Sequence, residues 1–415
     1  MPTLSERLKS LGVKIGTSDL PTSKPLDQTQ GKPADRYGID SVVSGSYRQT
    51  PLGDVFVAEQ TYGSDHRHGE TPLLSSFPLS VISQWANDAR MSSLPIEQFV
   101  FLDTETSGLS GGTGTYAFLV GAARFINGKF TLQQFFMRDP AEEPALLEGL
   151  AQFIAPCASL VTFNGKTFDA PLLATRYSMH RIPVPFKNYS HLDLLPLARR
   201  IWRDRLPSRA LKYLEEHILG LTRSDDEVPG YEIPWLYFDY LRSGDARPLA
   251  GVFYHNAMDV VALAALLAHV NNMLMDPYGG HVQHGLDFIS LGKLFDDLRK
   301  WDEAARLFER GLESQLTEAE FGIAVERLSI LQKKRGDLSQ AVRLWQSAAE
   351  QGHIYAHVEL AKYYEHKQRD IKSALKWADA ARKHIDKMDV PAYVRIHWQT
   401  EIDHRLARLK RKAGI

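Results

Sequence analysis

The chain has 415 residues, 44% hydrophobic and 24% charged, enough for two or three ordinary soluble domains and unlike a disordered or fibrous composition. A formal net charge of −1 excludes a global field that would draw in nucleic acid, so any basic surface must be local. A single cysteine, Cys157, excludes an intramolecular disulfide and a cysteine zinc cluster; placed after a proline and before an apolar run, it reads as a small core residue.

Residues 3–12 predict an amphipathic helix with Leu4, Leu8 and Leu11 on one face. The N-terminal residues lack the apolar core of a signal peptide. Residues 16–40, rich in Thr, Ser, Pro, Asp and Gln, predict a mobile linker, and residues 46–62 a hairpin turning at Pro51-Leu52-Gly53-Asp54. In Asp65-His66-Arg67-His68-Gly69 an acid and two histidines could ligate a metal, but a surface loop of satisfied polar groups is the commoner outcome. Residues 79–91 predict a helix. Residues 1–95 together read as an extension packed on the next domain, too small to hold a large core alone.

The stretch Phe99-Val100-Phe101-Leu102-Asp103-Thr104-Glu105-Thr106 is the centre of the chain. Four apolar residues predict a buried strand, and the acids that end it, two apart, share a face. Like charges that close repel unless a cation lies between them, and a hard divalent cation takes oxygen donors. The plainer reading is two solvated acids in a turn. Residues 110–115, Ser-Gly-Gly-Thr-Gly-Thr, read as a hairpin turn rather than a phosphate cradle, because no P-loop lysine and no helix follow. Strands are expected over 116–125 and 130–136, making an antiparallel meander, with a helix over 144–154 and a fourth strand over 159–163.

The fourth strand delivers Asn164-Gly165-Lys166-Thr167-Phe168-Asp169 at its C-terminal end, where active sites of α/β sheets lie. Read alone, Asp169 is better explained as a helix N-cap. Residues 191–219 predict two helices broken near Leu206-Pro207. Their basic set, Arg199, Arg200, Arg203, Arg205, Arg209 and Lys212, fits either phosphate contacts or a solvated face. An acidic, proline-containing loop over 222–234 precedes a helix around 235–242. In Tyr254-His255-Asn256-Ala257-Met258-Asp259, His255 and Asp259 lie one helical turn apart, as a general base beside a metal ligand would, or as a structural pair. The apolar run over 260–268 is too short to span a bilayer, and the protein is expected to be cytoplasmic with no membrane contact.

The order Asp103-x-Glu105, Asn164-x-x-x-Phe168-Asp169, His255-x-x-x-Asp259 resembles the DEDD exonucleases of the ribonuclease H-like superfamily, and within it the bacterial YprB-like family. The resemblance covers roughly residues 97–272 and rests on Asp103-Thr-Glu-Thr-Ser-Gly-Leu, Gly111-Gly-Thr-Gly-Thr-Tyr-Ala-Phe-Leu, Phe163-Asn-Gly-Lys-Thr-Phe-Asp and His255-Asn-Ala-Met-Asp. It implies an α/β fold, a ribonuclease H-like mixed sheet flanked by helices over residues 96–275. It also implies two ions, Mg²⁺ or Mn²⁺, on Asp103, Glu105, Asp169 and Asp259, and two-metal phosphodiester hydrolysis on DNA or RNA. By the same resemblance His255 deprotonates the water, Thr106, Gly108 and Leu109 line a slot for the terminal nucleotide, and Asn164 and Phe168 shape its other side. The chain departs from the pattern at the general base. The superfamily places Tyr four or His five residues before the last Asp; here His255 is four before and Tyr254 five, so Tyr254 is the alternative to His255.

From about residue 284 the pattern turns all-helical. Leu291-Gly292, Phe295, Ala304 and Phe308, then Leu328, Gly336-Asp337, Ala341 and Trp345, then Ala374 and Trp377 match tetratricopeptide positions. The alanines recur at 37 and 33 residues, near that repeat's period of about 34. A tetratricopeptide-like helical domain over 284–415 is expected, which binds a protein partner or buttresses the catalytic part. The basic tail around Arg405, Arg408, Lys410, Arg411 and Lys412 reads as a helix end. The whole reads as a metal-dependent 3′–5′ exonuclease. Its rivals are a non-catalytic nucleic-acid-binding or scaffold protein that keeps the fold, and an endonuclease using Glu148.

Overall fold

The computed structural model describes residues 37–74, 78–108, 114–224, 227–388 and 390–415. The predicted helix over 3–12, the linker up to residue 36, and Leu109 with most of the glycine-rich turn lie outside the described residues. The linker's last residues are structured instead. Tyr37 bridges to Asp245 with the Arg247 guanidinium 3.9 Å over its ring, and Ile39 is buried in the helical turn Ile39–Val42.

Seven strands form one mixed sheet: β1 (Ser46–Thr50), β2 (Gly53–Tyr62), β3 (Phe99–Thr106), β4 (Ala117–Ile126), β5 (Lys129–Phe136), β6 (Ser159–Thr162) and β7 (Ser190–Asp193). Their order is β1-β2-β5-β4-β3-β6-β7. The pairs from β1 to β3 are antiparallel; β3, β6 and β7 run parallel. The expected meander is β3-β4-β5, and the early hairpin extends it: β2 pairs with β5 from Phe56 opposite Phe136 to Tyr62 opposite Phe130. Residues 46–62 are therefore part of the same sheet, β1 its edge and β2 the next strand in, not merely a layer on top of it. β7 replaces the start of the helix expected from 191; this edge strand is four residues long, too short for a period to be legible.

The flanking helices are α1 (Ser80–Trp85), α2 (Glu143–Ile154), α3 (Asp169–Met179), α4 (Leu194–Trp202), α5 (Ile233–Ser243) and α6 (Leu249–Met275). This is the mixed, helix-flanked sheet expected of a ribonuclease H-like fold. β3 explains its own apolar run. Phe99 and Phe101 enter one core cluster, with Ala123, Val161 and Val260. Val100 and Leu102 enter another, with Leu160, Leu146 and Leu150. A strand covered on both faces reads as continuous hydrophobicity. The helix expected over 79–91 is shorter, because Asn87 takes a left-handed φ of 53° and only a 3₁₀ turn, Ala89–Ser92, follows.

α6 crosses from one cluster to the other. Val252 and Phe253 belong with α2 and α5, while Ala257 through Leu274 belong with α4 and the helices beyond. Its 27 residues are long and apolar enough, by length and composition, to cross a membrane; 72% of that window is buried inside the protein.

After α6 the chain is helical: α7 (Gly285–Asp297), α8 (Trp301–Leu312), α9 (Glu318–Lys334), α10 (Leu338–Glu350), α11 (Ile354–Tyr363), α12 (Ile371–Lys387) and α13 (Ala392–Ala413). Consecutive helices pack on one another. Ala304, Ala341 and Ala374 are fully buried, and a Cβ at Gly292 would press on the Phe308 ring at 3.2 Å, so α7 and α8 approach closely there.

Candidate active site

Asp103 and Glu105 leave β3 on the face that Phe99 and Phe101 bury beneath α6. A register shift between Glu105 and Thr106 ends the regular pairing with β4 just past the acids. Opposite Asp103 in β4 stands Gly121. A Cβ there would lie 2.3 Å from Asn256 Oδ1 and 2.9 Å from Val260, so only glycine lets α6 lie this close to the strand. Asn256, fully buried, uses that contact. Its amide donates to Asp103 Oδ2 (3.0 Å) and to the Asp103 carbonyl (3.3 Å), while its own oxygen accepts from Gln134 (3.0 Å).

β6 runs parallel to β3, so its C-terminal end opens at the same edge. Asn164 adopts φ 66°, and a Cβ at Gly165 would meet Thr162 at 2.5 Å. The turn is tied down by Asp193, 4% exposed at the end of β7. Its carboxylate accepts from Asn164 N (2.7 Å), Lys166 N (3.2 Å) and Leu195 N (3.1 Å). Asp193 is therefore the capping residue here, for α4. Asp169 is not an N-cap: α3 begins at Asp169 itself, and its Oδ1 accepts from Thr104 Oγ1 (2.5 Å). Phe168 beside it is 54% exposed. Thr106 Oγ1 donates to the Gly108 carbonyl (2.9 Å), closing the other lip.

α6 brings the last two expected residues. His255 Nε2 lies 3.5 Å from Asp259 Oδ2 and 4.0 Å from Glu105 Oε1, and its Nδ1 lies 3.3 Å from Glu227. The neighbouring Tyr254 hydroxyl instead accepts from Ser224 N (3.2 Å). The other Asp259 oxygen, Oδ1, is held by the guanidinium of Arg223, whose side chain is 1% exposed.

The electrostatics separate these acids. Burial, together with the charges of Asp259, Glu105 and Asp169, holds Asp103 well above the usual carboxylate range. Burial and the charges of Asp259 and Asp169 push Glu105 up to about 8, against a lowering by Arg223. Burial raises Asp169 to about 6 despite the Thr104 hydrogen bond. The carboxylates from residues 103, 105, 169 and 259 thus sense one another. Among the described residues, however, no three His, Cys, Asp or Glu side chains are closed around a point that could hold an ion. The Glu105 side chain, 9% exposed, has no hydrogen bond among the described residues, and no Lys or Arg there forms an ion pair with Asp103, Glu105 or Asp169. Buried, oxygen-rich and lacking a side-chain cation, this donor set fits a hard divalent ion.

In the histidine-containing segment His68 is satisfied, as the plainer reading expects, but it is in the interior rather than on a surface loop. His68 is buried against Glu215 (2.8 Å) and His66 lies on the Tyr62 ring. The basic set over 199–212 is mostly paired. Arg200 meets Asp297, Arg205 meets Asp287 (2.8 Å), Arg203 meets Asp204 (3.5 Å) and Lys212 meets Glu227. Arg199 and Arg209 are the exceptions. With Phe163 and Asn164 they line a cavity of about 490 Å³ beside the Asp169 turn, and Arg209 Nε is buried without a partner among the described residues. Glu148 accepts from Gln152 on α2. Arg223, Asn256, Thr104, Glu227 and Asp193 escaped the sequence reading. Only Arg223, a cation in an acidic loop, carried a visible signal.

Residues 100–271 match a family model described as RNase_H superfamily. The chain is 33% identical over 367 residues to the uncharacterized protein YprB of Bacillus subtilis (strain 168), covering 86% of each. A solved structure, the family B DNA polymerase of the hyperthermophilic archaeon Pyrobaculum calidifontis, aligns at a TM-score of 0.35 with 14% identity, over 49% of this chain. The chain spans 29% of that polymerase, and likeness at this level carries no argument.

Proposed function

The chain belongs to the RNase H superfamily and to the same family as YprB, and from that premise we propose that it is a metal-dependent nuclease, a 3′–5′ exonuclease acting on DNA or RNA. One observation supports the reading: Glu105 and Asp169 are buried and Asp103 half-buried on one sheet edge beside His255, with no Lys or Arg ion pair to any of the three among the described residues. The residues that would hold Mg²⁺ or Mn²⁺ are these three and Asp259, two ions if all four serve. When bound, the metal supplies polarisation of a phosphoryl oxygen and a more acidic water.

The chain's own groups supply the rest. His255 Nε2, between Asp259 and Glu105, orients the attacking water and takes its proton. Tyr254 is the weaker candidate because its hydroxyl already accepts from Ser224. Phe168 offers an exposed ring on which a terminal base stacks, facing a slot at Thr106 and Gly108. Arg199 and Arg209 receive the phosphates in the neighbouring cavity, a local basic surface on a chain whose net charge is −1. The helices after residue 284 serve as a tetratricopeptide-like platform for a protein partner, and the protein works in the cytoplasm.

The test is degradation of labelled single-stranded DNA and RNA, with free or blocked 3′ ends, with and without Mn²⁺. Metal-dependent shortening from free 3′ ends, lost in Asp103→Asn, supports the proposal. Cutting of blocked substrates points to the endonuclease. Binding without degradation points to the non-catalytic rival.

A further inference from the structure

Among the described residues Arg223 is the one guanidinium that pairs with any of the four acids, and it does so through Asp259. It is anchored from behind: Nε donates to Glu215 Oε2 (2.9 Å), Nη1 to Glu227 Oε1 (2.8 Å), and Nη2 to Asp259 Oδ1. Glu215 and Glu227 each have a second partner, His68 and Lys212. Asp259 has no other Lys or Arg among the described residues, only His255 at 3.5 Å. The arginine thus completes Asp259, while the two glutamates hold the arginine in place.

We propose that Arg223 is a fixed positive charge standing in for one divalent ion, so that Asp259 is neutralised internally and Asp103, Glu105 and Asp169 hold a single ion. This rests on the proposal that the acids bind a metal. Three features favour it. A guanidinium does not lose its proton in a protein, so its charge is permanent. Its side chain is buried between two carboxylates, so swinging out would strand Glu215 and Glu227 without it. An ion taken up by the remaining Asp259 oxygen would sit within roughly 5 Å of that charge and be repelled. At the other end the balance is reversed, since no Lys or Arg forms an ion pair with Asp103, Glu105 or Asp169 among the described residues.

The experiment is a Mn²⁺ titration of the full chain without nucleic acid, followed by calorimetry and by electron paramagnetic resonance. Wild type is expected to bind one ion per chain, with the spectrum of an isolated Mn²⁺. Asp259→Asn should keep that stoichiometry and bind within about threefold of wild type, whereas losing a true ligand costs about tenfold or more. Arg223→Gln, where it folds, should take up a second ion and show spin coupling. Two ions in wild type, a loss of about tenfold or more in Asp259→Asn, or a single ion in folded Arg223→Gln overturns the inference and leaves the nuclease proposal standing. No Mn²⁺ binding at all overturns the metal reading itself, and this inference with it.

Discussion

Two buried carboxylate sites in this molecule are treated in opposite ways. Glu365, in the helical C-terminal part, is 4% exposed and takes Arg405 (3.3 Å), Arg408 (2.7 Å) and Lys412 (2.8 Å). Burial raises its carboxyl, but the hydrogen bonds from Arg408 and Lys412 win and hold it down to about 2. Among the described residues no lysine or arginine forms an ion pair with Asp103, Glu105 or Asp169, and Glu105 sits at about 8 despite a lowering by Arg223. One site carries its own counterions; the other, among the described residues, has no lysine or arginine paired with its three acids, and the metal proposal rests on that difference. The basic tail resolves the same way: Arg405, Arg408 and Lys412, taken from sequence for a helix end, are the counterions of one buried glutamate.

The sharpest way to break this comparison is to remove one acid from each site. Asp103→Asn should lower Mn²⁺-dependent hydrolysis by at least about 100-fold, with thermal stability equal to or above wild type. Glu365→Gln should do the reverse, leaving hydrolysis intact and lowering stability by roughly 1–3 kcal/mol, since Arg408 and Lys412 can still reach solvent. Denaturation midpoints and an end-labelled substrate read both variants. Equal effects at the two sites would mean that the contrast carries no functional information.

Next in size is the pH response of the metal-free protein. The folded state binds the Glu105 proton far more tightly than an unfolded chain, whose glutamates titrate near pH ~4.3. Its contribution is therefore complete at low pH and lost as pH rises through about 8. Melting temperatures in chelator should fall from about pH 5 to about pH 8.5, Glu105→Gln should flatten the fall, and Mn²⁺ should cancel it. A melting temperature that rises over this interval contradicts the assignment.

Smaller effects test the surroundings. Asn256→Ala removes the amide that orients Asp103 and should weaken Mn²⁺ binding by about 10- to 100-fold, read by calorimetry. Arg199→Ala and Arg209→Ala should each reduce the salt slope of nucleic-acid binding by about one, with little change in metal affinity.

Much of this was legible in the chain. The run from Phe99 to Leu102 announces a strand covered on both faces, and the acids at 103 and 105 follow its alternation. Asp169 and Asp259 are placed through the resemblance to the DEDD exonucleases, since alone the first also fits an N-cap and the second a structural pair with His255. What was not legible depends on partners far away in sequence. Asp193 looked like one more acid on a charged helix; its role appears only when β7 lies beside β6 and its carboxylate meets the Asn164 turn. The basic set over 199–212 fits phosphate contacts or a solvated face equally well in sequence; the partners of Arg200 and Arg205, Asp297 and Asp287, come from α7. Arg223 needs Glu215, Glu227 and Asp259 gathered from three segments before it means anything.

α6 carries His255, Asn256 and Asp259 near its start and continues, without a break, to Met275, burying Met273 and Leu274 in the cluster shared with Leu291, Leu294 and Phe308. A fragment ending near residue 280 would strip neighbours from the far half of that rod and leave a greasy stripe seeking cover. Self-association of such a fragment would tug on the same rod that sets the carboxylates in place. The C-terminal helices thus share one core cluster with the far half of the helix whose near end carries His255, Asn256 and Asp259.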